Sequence, residues 1–136
     1  MSTSSNRTRL GGIALIAAGV LFFLYPACRP WHDELTQTGA VAAMGSGAWL
    51  ASHLFAAVGF ILVPLGFLAL RNVVDRTGAE PIAFAASVVA WFGAGLTLTY
   101  YGAETFALNA LAGQVALGRA LDLVELTEAV RFGQVA

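Results

Sequence analysis

No lysine occurs in this chain of 136 residues, and all seven of its basic residues are arginines. Charges of either sign are scarce, at 11% of residues against roughly 25% in a soluble domain. So few charges cannot cover a surface that faces water, and most of this surface is expected to face lipid. The net charge of −1 at pH 7 excludes the basic footprint that nucleic acid requires. No basic cluster of the kind that gathers anionic head groups stands out either. The single cysteine, Cys28, excludes an internal disulfide and a cysteine-based metal site. Gly-x-Ser-x-Gly, P-loop and Rossmann glycine patterns are all missing. The run Gly45-Ser46-Gly47 is too short to cradle a phosphate and reads as a helix break. With no catalytic set and no cofactor signature, the sequence gives enzymatic activity no support.

What the chain has in abundance is hydrophobic side chains, 58% of the total. They fall into three runs. Leu10–Ala27 carries no charge, Gly47–Leu70 carries only His53 as an ionisable group, and Ile82–Ala103 again carries none. A membrane-spanning helix needs about 20 such residues, so the first run is at the short end and the other two are ample. Inside lipid every backbone polar group must be satisfied within its own segment, which dictates helix. The alternation of barrel strands is absent. Pro64 is expected to kink the second span. The fold class expected is therefore all-α: an integral membrane protein with three transmembrane helices.

Arg7 and Arg9 precede the first run, and Arg71 and Arg76 lie between the second and third. The positive-inside rule then places the N-terminus and the second loop in the cytoplasm, with the loop 28–46 and the residues after the third span outside. Trp31 and Trp49 suit the outer interface. The start, Met1–Arg9, is expected to be disordered. The transmembrane domain is expected over 10–112. In the first loop Asp33 would cap a short helix through Met44, with an irregular loop as the alternative. The tail, 113–136, reads as an amphipathic helix on the outer side. From Gln114 onward, Leu117, Ala120, Leu121 and Val124 fall on one face and Gly118, Asp122 and Glu125 on the other. The apolar ending suggests a part of a bundle with four or more spans. Ala27-Cys28 resembles a lipoprotein cleavage site, but Tyr25 stands where leucine is usual, so an uncleaved signal-anchor is the better reading.

Small residues mark candidate packing seams. These are Ala14 and Ala18 in the first span and Ser52, Ala56, Gly59 and Gly66 in the second. In the third, Ala86, Gly93, Thr97, Tyr100 and Glu104 share a stripe.

Ionisable groups in a membrane are candidates for function by default. His53 and Glu104 both fall in the outer half of the bilayer, with Tyr100 one turn from Glu104 and Tyr25 at similar depth. These four are the ligand or proton-relay candidates. They admit three readings, in descending order of weight. His53 and Glu104 form a polar tie between spans, or Glu104 simply reaches interfacial water. A second reading has them relay protons or bind a small solute, as in a small transporter. The third has His53, Glu104 and His32 hold a metal, or the two histidines a haem. Neither His-x₃-His nor His-Glu-x-x-His spacing occurs, so no metal and no cofactor is expected. The leading expectation is a multi-pass protein of the cell membrane, a non-enzymatic accessory subunit or scaffold. Its partners would be the lipid bilayer and other membrane helices, from itself or from a partner subunit.

Overall fold

A computed structural model describes residues 3–133. Among them all regular secondary structure is helical, in the order α1 (Thr3–Cys28), α2 (Gln37–Met44), α3 (Gly47–Val73), α4 (Glu80–Gly102), a π-helical turn (Ala103–Ala107), α5 (Leu108–Ala116) and α6 (Leu123–Phe132). Three stretches are long and apolar enough to cross a membrane: Ser5–Cys28, Gly47–Val73 and Glu80–Ala116. The chain forms two compact units, Met1–Leu24 with Phe55–Leu98 and Tyr25–Leu54 with Thr99–Ala136.

In the first unit, small residues let helices approach closely, as expected where hydrophobic attraction between helices is absent. A side chain at Gly59 would meet the Phe22 ring, one at Gly66 would meet Leu15, and one at Gly11 would meet Ala69. Phe22 packs edge-on against Phe60, with ring centres 5.0 Å apart. α3 runs unbroken through Pro64, whose ring is fully buried. The expected seam on the third span is displaced. Gly93 is exposed, and the buried positions of α4 are Ala83, Ser87 and Ala94. Small residues line more than one face of α4, so their spacing alone does not choose between faces. Ser87 is suited to burial because its hydroxyl donates to Ala83 O at 2.8 Å. Arg71 is paired with Glu80 and lies over the Phe84 ring.

In the second unit, α2 packs on α5 and α6 around Ala40, Ala43, Met44, Trp49, Leu108, Ala112 and Leu123. The helix in the first loop is therefore real, but its N-cap is Thr36, whose hydroxyl accepts from Gly39 N at 3.2 Å. Asp33 serves the turn before it, accepting from Leu35 N at 3.1 Å. Met44 O at the other end receives Asn109 Nδ2 at 2.6 Å.

The third apolar stretch is longer than the run of uncharged residues. It continues past Glu104 to Ala116, 37 residues in all. The tail is correspondingly not one helix from Gln114. Gly118 takes a left-handed φ of +86° that ends α5. Asp122 then caps α6, accepting from Val124 N at 3.0 Å and Glu125 N at 3.1 Å. α6 is amphipathic: Leu123 and Thr127 are buried while Glu125 and Glu128 are exposed.

Candidate functional site

The polar residues of the second unit form two adjoining groups. In the ionic group, Arg131 on α6 stands between two carboxylates. Its Nη2 donates to Glu104 Oε1 at 2.7 Å and to Glu34 Oε2 at 2.9 Å, and its Nε donates to Glu104 Oε1 at 3.0 Å. Glu34 in turn accepts from Arg29 Nη2 at 2.7 Å. The result is a chain of alternating charges, Arg29–Glu34–Arg131–Glu104, drawn from the first loop beside the end of α1, the tail helix and the π-helical turn. Burial alone would make the Arg131 guanidinium easier to deprotonate. The hydrogen bonds and charges of Glu34 and Glu104 outweigh it and hold its pKa above the ordinary value.

Glu104 is carried by a wide turn. Ala103–Ala107 is π-helical, and Glu104 and Thr105 are its buried residues. A π turn inserts an extra residue into the helix, which shifts the register of the residues beyond it, and such turns recur at functional sites.

The aromatic group surrounds His53, which is fully buried. Its Nδ1 lies 2.8 Å from Trp49 O. A carbonyl only accepts, so Nδ1 carries the proton and donates. The ring lies 4.1 Å from that of Trp49, centre to centre, and is met by Tyr25 at 5.3 Å and Tyr101 at 5.8 Å. Arg29 links the groups. Its guanidinium sits 5.2 Å from the Trp49 ring centre and 5.4 Å from that of Trp31, within cation–π range. Its Nη1 donates to the Tyr25 hydroxyl at 3.3 Å. His53 Nε2, Trp49 Nε1 and Arg29 Nε are buried without a hydrogen-bond partner.

The four candidates from the sequence are thus brought into one unit, but not as one cluster. Tyr100 lies four positions before Glu104 and is exposed. Tyr25 joins His53 through ring contact. His53 and Glu104 do not hydrogen-bond to one another: Glu104 takes Arg131, and His53 takes its own helix backbone. His32 lies exposed in the first loop. Among the described residues no three histidine, cysteine or acidic side chains are placed to hold a metal ion. Arg29, Glu34, Arg131 and Tyr101 are not singled out by the sequence as site residues, and Trp49 is singled out there only as an interface residue. The available signal was Glu104 itself. A carboxylate within an apolar stretch calls for a cation, and the arginines that share a unit with Glu104 are Arg29, Arg119 and Arg131.

The fold and this site define a small all-helical protein with helices fit to span a membrane. The sequence matches no family model, no curated protein and no solved structure.

Proposed function

We propose that this chain is a small multi-pass protein of the cell membrane, N-terminus in the cytoplasm, acting through helix packing as a non-enzymatic accessory subunit or scaffold. The observation that carries the reading is the pairing of Glu104 with Arg131. A carboxylate in a spanning stretch invites a ligand, yet here its charge is met within the chain. Its work is then to fasten the tail helix to the third span. Exposed Ile82, Val89, Phe92 and Leu96 on α4 supply apolar surface for lipid or for neighbouring helices. The arginines at 7 and 9 support the orientation. Cross-linking of the full chain in its native membrane, followed by extraction in mild detergent, tests the reading. A discrete cross-linked species, with itself or with another membrane protein, is expected. A chain that remains monomeric throughout overturns it.

One observation favours a second reading, a small transporter or ligand-binding protein. With Nδ1 donating, His53 Nε2 keeps a buried lone pair without a partner, able to take a proton or a hydrogen-bond donor from a solute. His53→Ala and Glu104→Gln separate the two readings. Unchanged expression and assembly with loss of a cellular phenotype supports the second. A joint fall in stability supports the first.

A further inference from the structure

The first unit holds a groove of about 410 Å³ between α1 and α3. Its walls are apolar, formed by Leu10, Ala14, Leu65 and Leu68, and its rim carries two polar side chains, Arg7 and Asn72. The groove lies beside the point where Gly11 meets Ala69, so its floor is fixed by a close helix contact.

The charges at this end of the unit are unevenly satisfied. Arg71 is paired with Glu80, and Arg76 lies beside Asp75. Arg7 has no carboxylate partner among the described residues and is exposed at the mouth of the groove. An arginine presents several N–H donors in a planar fork that matches phosphate oxygens. The Asn72 amide offers further N–H donors from the facing helix. Below them the walls offer nothing to a polar group and a good fit to hydrocarbon. A molecule matched to both halves has an anionic phosphate at one end and an acyl chain at the other. Basic pockets between membrane helices are known places for such head groups.

We propose that this groove is a binding site for one anionic phospholipid, its phosphate on Arg7 and Asn72 and an acyl chain along Leu10, Ala14, Leu65 and Leu68. The proposal rests on the membrane-spanning reading of α1 and α3. A carbonate wash tests that reading separately, since a spanning chain stays in the membrane pellet whatever lipid it selects.

Native mass spectrometry of the full chain in mild detergent tests the site, with phosphatidylglycerol as the probe. Wild-type protein is expected to hold one phosphatidylglycerol and to prefer it to diacylglycerol, which lacks the phosphate. Arg7→Gln is expected to weaken binding about fivefold, the equivalent of ~1 kcal/mol per basic side chain near a lipid head group. Ala14→Phe fills the groove and is expected to remove the bound lipid while helical content by circular dichroism is kept. Inorganic phosphate at matched concentration is expected not to displace the lipid, because it cannot use the apolar walls. Equal binding by wild type and Arg7→Gln overturns the proposal. So does equal affinity for phosphatidylglycerol and diacylglycerol, or full displacement by inorganic phosphate.

Discussion

Arg131 and Glu104 meet through two hydrogen bonds, from Nη2 at 2.7 Å and Nε at 3.0 Å to the same carboxylate oxygen. The Arg131 side chain is 17% exposed and that of Glu104 9%. A charge so far removed from water is stabilised mainly by its partner, and removing one leaves the other costly.

Glu104→Ala is therefore expected to destabilise the second unit by about 2–3 kcal/mol. Glu104→Gln, which keeps a carbonyl for Arg131, should cost less. Thermal unfolding in detergent measures both. Because Glu34 shares Arg131, the Glu34/Glu104 double variant should depart from additivity by at least ~0.5 kcal/mol. Strict additivity would mean that the two carboxylates do not act through one arginine.

The raised pKa of Arg131 has a defined consequence. A group whose folded pKa lies above its unfolded value stabilises fully below the unfolded value and ceases to do so as pH rises through the folded one. For arginine that window lies beyond ordinary alkaline conditions, so the tail stays docked there. Arg131→Lys moves the window down. Its stabilisation should be lost as pH rises above ~10.4, the ordinary lysine value. Limited proteolysis of the tail across pH 7–11 tracks the release. A wild-type tail that is released at the same pH as the lysine variant would sink the assignment.

Glycines in the first unit should divide by what faces them. Gly66→Leu drives a side chain into Leu15 and is expected to cost about 1–3 kcal/mol, as overpacking does. Gly93 faces open space. Gly93→Ala is expected to be neutral or to stabilise the helix by up to ~1 kcal/mol. Melting temperatures in one detergent compare the pair.

Cys28 is the only cysteine and is exposed. If the N-terminus is cytoplasmic, as proposed, Cys28 faces outward, and a membrane-impermeant maleimide should label it on intact cells. Labelling only after lysis would invert the orientation.

The apolar runs were legible because lipid imposes length and composition on any helix that crosses it. Their limits were less so. The third run was expected to end at Ala103 because Glu104 is charged. The helix continues because Arg131, distant in sequence, pairs with that charge. In the first loop, Gly45-Ser46-Gly47 marked the end of α2 correctly. Its start moved from Asp33 to Thr36, both being residue types that cap, and only the turn geometry chose between them. The tail contained its own punctuation in Gly118 and Asp122, but apolar periodicity across them suggested a single helix. Of the candidate site, the residue types with unusual placement were visible. Their partners were not, since pairings such as Arg131 with Glu34 and Glu104 join segments that no local pattern connects.

Gln37 gives the second unit a timetable. Its side-chain amide donates to Leu121 O at 2.7 Å and accepts from Leu123 N at 2.9 Å, partners 84 and 86 positions later in the chain. At a synthesis rate of about 5–20 residues per second, α2 waits roughly 4–17 s for them to emerge. Throughout that interval Ala40, Ala43 and Met44 have no tail to cover them, and Glu34 has only Arg29. A helix that leaves the ribosome long after α2 is thus the one that closes the unit. A nascent chain stalled before α6 would present the membrane-insertion machinery with an open apolar face in a segment that, once finished, is sealed.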